Sequence, residues 1–327
     1  PSVVTVMGGH HVSALPEATL ATSSTDFVCI GEAEESIVKI LQCIEGYCDP
    51  STIPGIAYNW KGLTGRTKDY RLRIAQSQQE TYPAINLNAI PIPARHLLDT
   101  NSYNDKSRGI SQTQTSAMFS RGCPGKCAFC EASGSMVRWR DLDNVLKELH
   151  AISDLGIGAV FVMDDTYTNN RKRVLELSRR IVSEGLKLNI SVMLRLDQID
   201  EEVCDALYAS GVRYIGPGIE SGNDDIIKAI GKGRLESKPH MRLKMSLLKQ
   251  YDWTIRCSYV LGMPGETEQQ MMDTIEFAKE LGAHENAFSV LIPLPGSPLW
   301  SIAKAMGKVH DTMDFSKFLF FREIGCN

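Results

Sequence analysis

Short runs of β-branched and apolar residues recur along the chain, each followed by a stretch whose apolar positions repeat every three to four residues. Residues 3–7 form one such run, ending in Gly8-Gly9, and residues 15–21 follow as a short helix. Phe27-Val28-Cys29-Ile30 is apolar throughout, as in a strand covered on both faces, and ends at Gly31-Glu32. Ile37, Ile40, Leu41 and Ile44 fall on one face of a helix over residues 34–44. Residues 56–60 then alternate like an edge strand. Strand–loop–helix order of this kind predicts an α/β unit over residues 1–72, with a parallel sheet and helices on its faces.

Residues 73–112 lose this rhythm. Glutamines, asparagines and Pro83, Pro91 and Pro93 give no period, so the stretch reads as a linker. Ile90-Pro91-Ile92-Pro93-Ala94-Arg95 is too apolar for a bare tether and is expected to pack on a neighbouring domain. From residue 113 the alternation returns. Strands are predicted at 115–120, 159–163, 188–194, 214–218, 254–261 and 287–292, with helices at 142–155, 171–184, 201–210, 224–230 and 267–281. Six strands, each followed by a helix or loop, predict an α/β barrel or partial barrel over 113–327, a (β/α)6 relative of the TIM barrel. Barrel chemistry sits at the C-terminal ends of the strands, so unusual residues should gather there.

A length of 327 residues suits about two domains. The 43% hydrophobic and 23% charged residues are ordinary for a globular protein and exclude collagen-like, coiled-coil and wholly disordered readings. A net charge of −4 gives no basic field, so nucleic acid is not an expected partner. No apolar run reaches membrane-spanning length and no secretory signal is present, so neither a membrane nor secretion is expected. The chain opens on a buried-strand pattern without an initiator Met and ends near the apolar Phe318-Leu319-Phe320-Phe321-Arg322, and we take it as a fragment. Nine cysteines, an odd number, argue against a disulfide framework and for a reduced, cytoplasmic compartment with a metal site.

Three of those cysteines crowd together in Ser120-Arg121-Gly122-Cys123-Pro124-Gly125-Lys126-Cys127-Ala128-Phe129-Cys130, directly after the first barrel strand. Three thiolates on one short loop can converge on one inorganic centre. Electron-transfer iron–sulfur clusters use four cysteines, and structural zinc sites close with four ligands. No fourth Cys or His follows within eighteen residues of Cys130. Three protein ligands leave one iron of a four-iron cluster open, which is the arrangement of a catalytic metal centre. The plainer alternatives are a zinc knuckle closed by a distant residue and three structural cysteines.

This loop resembles the hallmark of the radical S-adenosylmethionine (radical SAM) enzymes, and the likeness runs over residues ~113–300. The resemblance implies a [4Fe-4S] cluster on Cys123, Cys127 and Cys130. Its open iron would bind S-adenosylmethionine, which the reduced cluster cleaves to a 5′-deoxyadenosyl radical. Phe129 matches the aromatic residue near the adenine. Asp164 and Asp165 replace the segment that accepts hydrogen bonds from the cofactor's ammonium, with a helix N-cap as the alternative. Arg195 would pair with the cofactor carboxylate, or else with Asp197 at the barrel rim. Glu220 would bind the ribose hydroxyls with Ser221 nearby, and Ile230-Gly231-Lys232-Gly233 also matches the family. Backbone around Val260 and Gly262 would meet the adenine. Ile292, with Leu291, would supply its apolar face, or else pack in the core.

The N-terminal segments Gly8-Gly9-His10-His11 and Gly31-Glu32 resemble part of the Rossmann-like cobalamin-binding domain that precedes many radical SAM barrels. By that likeness they would line the pocket for the corrinoid's nucleotide tail. The implied function is cobalamin-dependent methyl transfer to an unactivated carbon or phosphorus centre of a small-molecule or peptide substrate. Electrons would come from a partner such as flavodoxin or ferredoxin. A radical cyclase or rearrangement enzyme, and a methylthiotransferase, are the alternatives. The last would need a second cysteine set, and Cys29, Cys43 and Cys48 do not have that spacing.

Overall fold

The computed structural model describes residues 3–59, 85–103, 112–232 and 237–318. Trp60, Pro83, the rest of 60–84 and 104–111, Gly233, the tail from Leu319 and Cys326 lie outside the described residues.

The first elements are β1 (Val6–Met7), α1 (His10–Ala14), α2 (Pro16–Thr22), β2 (Phe27–Cys29), α3 (Glu34–Ile44) and β3 (Ile56–Tyr58). The helix expected at 15–21 is α2, which starts at Pro16, where a missing N–H costs nothing, and α1 is an additional short helix before it. β1 pairs parallel with β2, and β3 joins as an antiparallel edge strand. β2 is buried on both faces, which explains its unbroken apolar run. Phe27 and Cys29 face Ile40 and Cys43 of α3. Val28 and Ile30 face Val12 and Leu20 of the first two helices.

The remaining elements are β4 (Gln114–Ala117), β5 (Ser120–Arg121), β6 (Arg138–Trp139), α4 (Leu142–Asp154), β7 (Ala159–Val162), α5 (Arg171–Ser183), β8 (Asn189–Leu194), α6 (Glu201–Ala209), β9 (Val212–Glu220), α7 (Asp224–Ala229), α8 (Lys238–Leu248), β10 (Thr254–Leu261), α9 (Glu268–Leu281), β11 (Glu285–Val290) and α10 (Pro298–Ala305). Six of the strands form one sheet in the order β11-β10-β9-β8-β7-β4, and every neighbouring pair is parallel. β4 and β11 are its two edges, so this is the expected partial (β/α)6 barrel. Helix starts are secured by side chains: Asn170 accepts from Arg173 N, Asp200 accepts from Val203 N, and Thr267 forms a capping box with Gln270. α8, absent from the sequence reading, buries Met241, Met245 and Leu248. Among the described residues no helix is long and apolar enough to cross a membrane.

By contacts the chain groups into two units. The first holds residues 1–90 together with 129–131 and 293–319. Within it Leu15, Trp300 and Val309 share an apolar cluster flanked by Phe315 and Phe318. The second holds 91–128, 132–292 and 320–327. Arg95 shows how the proline-rich stretch joins that unit. Its guanidinium donates to Thr115 Oγ1 at 3.0 Å, to the Ser116 carbonyl at 2.5 Å and to Glu148 Oε1 at 2.6 Å. Arg140 binds the other oxygen of Glu148, whose side chain is 1% exposed. One carboxylate thus neutralises two buried cations.

Removing it strands both. Glu148→Ala is expected to lower stability by about 3–5 kcal/mol, read as a lower urea midpoint for the second unit. An unchanged midpoint would show that the triad contributes no net stability.

Candidate active site

The cysteine loop is the connection of a small hairpin. β5 and β6 pair antiparallel, Ser120 opposite Trp139 and Arg121 opposite Arg138, and everything between them must turn back within sixteen residues. Gly122 makes the first bend at φ +96°, a conformation that side chains resist, and a Cβ there would run into the Met136 carbonyl. Cys123 N donates to Ser135 Oγ at 2.9 Å, and Gly134 N donates to the Gly125 carbonyl at 2.6 Å. Gly125 N points at Cys123 Sγ, 3.4 Å away, which suits a sulfur carrying negative charge. Cys123, Cys127 and Cys130 are all half-buried. Among the described residues no three His, Cys, Asp or Glu side chains gather into a mononuclear metal site. The donor set itself fits a cluster: three accessible thiols, backbone N–H directed at sulfur, and a glycine-lined bend.

At the end of β7 the adjacent aspartates divide their work. Asp164 Oδ1 accepts from Phe119 N at 2.7 Å and Ser120 N at 3.0 Å, and its Oδ2 accepts from Ser120 Oγ at 2.6 Å. Burial pushes its carboxyl pKa up, and these three donors pull the other way. Asp164 therefore locks the strand that enters the cysteine loop. Asp165 is exposed, and its Oδ2 accepts from Gly122 N at 2.8 Å, which pins the bend itself.

Arg195, after β8, makes the rim ion pair. Nε and Nη2 fork onto Asp197 at 3.0 and 2.9 Å, and Nη2 also donates to the Lys232 carbonyl at 2.6 Å. A Cβ on Gly125 would sit 3.3 Å from Arg195 Nη1, so the guanidinium also borders the cysteine loop.

Glu220 ends β9 at φ +68°, alone among the described non-glycine residues in having a positive φ. Such a conformation costs about 1–3 kcal/mol and persists only where neighbours impose it. Here the neighbour is Lys232, whose Nζ lies 2.9 Å from Glu220 Oε1. The glycines before it make room for the protein's own groups. A Cβ on Gly216 would strike the Met193 thioether, and one on Gly218 would strike the Glu220–Lys232 pair. Ser221 is fully buried, and its hydroxyl meets Thr274 Oγ1 of α9 at 3.1 Å.

At the end of β10, Glu266 closes the loop by accepting from Gly262 N at 2.6 Å and Met263 N at 2.9 Å. Gly262 takes φ +87° with open space where a Cβ would be. Val260 is half-buried opposite Ser289 in the sheet, and Ile292 and Phe129 are half-buried. Sequence reasoning did not foresee the grip of Glu266 on this loop, and it passed over Ser135 and the burial of Lys232. The Gly134-Ser135 pair carried the usual turn signal, and Lys232 lay in a turn that matches the family, but neither told what it would contact.

In the first unit, Ser13 ties the two predicted strand ends together. Its hydroxyl donates to the Gly9 carbonyl at 2.8 Å and accepts from Gly31 N at 2.9 Å. Gly8, Gly9, His10, His11 and Gly31 are exposed, and Gly9 (φ +103°) has nothing within 4 Å of a Cβ position. These small residues leave the backbone exposed at the strand ends. His10 Nδ1 lies 3.4 Å from Glu131 Oε1, and the His11 ring meets Phe315 edge-on at 4.5 Å. Glu32 accepts from Ile85 N at 3.2 Å.

Comparison with known proteins follows this geometry. Residues 118–278 match the model of the radical SAM superfamily. The chain is 31% identical over 322 residues to an uncharacterized methyltransferase of Pyrococcus horikoshii, covering 97% of this chain and 66% of that protein. It is 26% identical over 328 residues to the cytidylyl-2-hydroxyethylphosphonate methyltransferase of Streptomyces wedmorensis, covering 91% and 60%. The chain thus spans about two-thirds or less of these relatives. Among solved structures, the radical S-adenosylmethionine methyltransferase TsrM from Kitasatospora setae, with cobalamin and a [4Fe-4S] cluster bound, shares the fold. Its TM-score is 0.72 at 19% identity, over 93% of this chain and 58% of that one.

Gly122→Ala is expected to leave the fold intact and to lower iron incorporation several-fold, because the bend loses its only comfortable residue. Iron per chain after anaerobic reconstitution checks this, and full loading would show that the bend tolerates a side chain.

Proposed function

Since the chain belongs to the radical SAM superfamily, we propose that it forms the core of a cobalamin-dependent enzyme that methylates an unactivated carbon or phosphorus centre. The cysteine loop carries this reading: three half-buried thiols sit on a bend pinned by Asp165, beside Arg195 at a barrel strand end. When bound, a [4Fe-4S] cluster passes one electron to the sulfonium of S-adenosylmethionine to release a 5′-deoxyadenosyl radical, and a corrinoid supplies the methyl group.

The chain's own residues do the rest. Cys123, Cys127 and Cys130 hold the cluster. Asp164 holds the backbone of Phe119 and Ser120, which leaves the exposed Asp165 as the aspartate that can meet a cofactor ammonium. Glu220 takes the ribose hydroxyls. Arg195 keeps its charge at every working pH and orients the cofactor carboxylate while forked on Asp197. The open backbone at Gly262, with Val260, Ile292 and Phe129, takes the adenine. Gly8, Gly9, His10, His11, Gly31 and Glu32 line the corrinoid's nucleotide tail. Methyltransferases among the relatives, one of them named for a phosphonate, support the reaction class. A small organic or peptide substrate and a flavodoxin- or ferredoxin-type electron donor complete the reading.

The test uses the full chain, reconstituted without oxygen and given dithionite, S-adenosylmethionine and hydroxocobalamin. 5′-Deoxyadenosine and a bound, methylatable corrinoid are expected together. Cys127→Ala should lose its iron and form no 5′-deoxyadenosine while staying folded. Normal iron content and deoxyadenosine in that variant would overturn the assignment, and deoxyadenosine without bound corrinoid would remove the role of the first unit.

A further inference from the structure

The turn Ile230-Gly231-Lys232 touches three parts of the second unit at once: the cysteine loop, Arg195 after β8 and the end of β9. The Ile230 carbonyl accepts from Ala128 N, inside the cysteine loop, at 2.9 Å. Gly231 (φ +74°) lies so close to that loop that a Cβ would stand 2.7 Å from the Lys126 carbonyl. The Lys232 carbonyl accepts from Arg195 Nη2 at 2.6 Å. Lys232 Nζ binds Glu220 Oε1 at 2.9 Å and also donates to the Gly218 carbonyl. The Lys232 side chain is 2% exposed and that of Glu220 14%.

A lysine this deep is unusual, and its charge is tolerable only because a carboxylate meets it. Two features separate this pair from an ordinary surface ion pair. Its space is reserved, since Gly218 gives up a side chain for it. Its acidic partner is held at a positive φ that no glycine relieves. The pair therefore fixes a carboxylate at a strand end, and the same three residues fix the cysteine loop and a guanidinium around it.

We propose that Lys232 is a positioning residue for S-adenosylmethionine capture. It sets the Glu220 carboxylate through its ammonium and Arg195 through its carbonyl, both in register with the cysteine loop. The proposal rests on the reading that Glu220 and Arg195 meet that cofactor. Lys232 itself acts only through them.

The experiment compares wild type, Lys232→Met, Glu220→Gln and the double variant, each as the cluster-loaded full chain. Iron per chain and thermal melting report the fold. Equilibrium dialysis reports S-adenosylmethionine affinity, and the electron paramagnetic resonance spectrum of the reduced cluster reports whether the cofactor reaches it. Lys232→Met is expected to retain iron, to bind the cofactor about tenfold more weakly and to blunt the cofactor-induced spectral change. The double variant should bind no more weakly than the weaker single one, because the two residues act as a unit. Should Lys232→Met fail to load its cluster, the double variant, which strands no charge, is compared with Glu220→Gln alone. Equal affinities support the proposal, and a further tenfold loss overturns it. Unchanged affinity in Lys232→Met, or fully additive losses, overturns it while leaving the cofactor reading intact. A loaded wild type that binds no S-adenosylmethionine overturns both.

Discussion

Backbone-to-backbone contact between a cysteine loop and a glycine turn is the constraint on which this structure depends. The loop has too few residues and too many glycines to hold a shape alone, so its shape comes from what surrounds it. Asp165 pins its entry at Gly122, Ser135 holds Cys123 N, and Ile230 receives Ala128 N. Each of these contacts uses a main-chain N–H. The barrel's own packing lies elsewhere, in buried residues such as Ile190 and Val192 and in the Arg95–Glu148–Arg140 triad.

The same economy shows at the strand ends. Groups that look alike in sequence have separate duties. Of two adjacent aspartates, Asp164 is buried and accepts from Phe119 N, Ser120 N and the Ser120 hydroxyl, while Asp165 faces outward. Of the neighbours Glu220 and Ser221, one ends its strand in an ion pair and the other is sealed against α9. At these ends the sheet's backbone runs out of ladder partners, and side chains such as Asp164 and Glu266 take over.

Much of this was legible beforehand. α3 and β10 stand at the residues expected, since a clean helical period and a clean strand run define them. The Arg195–Asp197 pair was one of two readings of that segment. What stayed hidden depended on distant partners. Lys232 reads as a surface residue until Glu220, twelve positions earlier, is brought against it. Gly216 and Gly218 leave space that Met193 and the Glu220–Lys232 pair fill, which only the folded chain shows. The positive φ of Glu220 has no sequence signature at all. α8 did carry a period, in Met241, Met245 and Leu248, but its polar residues masked it.

The central claim is that three cysteines leave one iron for S-adenosylmethionine. Electron–nuclear double resonance on the reduced, cluster-loaded protein, with the amino nitrogen of the cofactor isotopically labelled, addresses that claim most directly. The account predicts a hyperfine coupling between that nitrogen and the cluster. A fully loaded cluster that binds the cofactor yet shows no such coupling would mean that all its irons are closed, and would contradict the account.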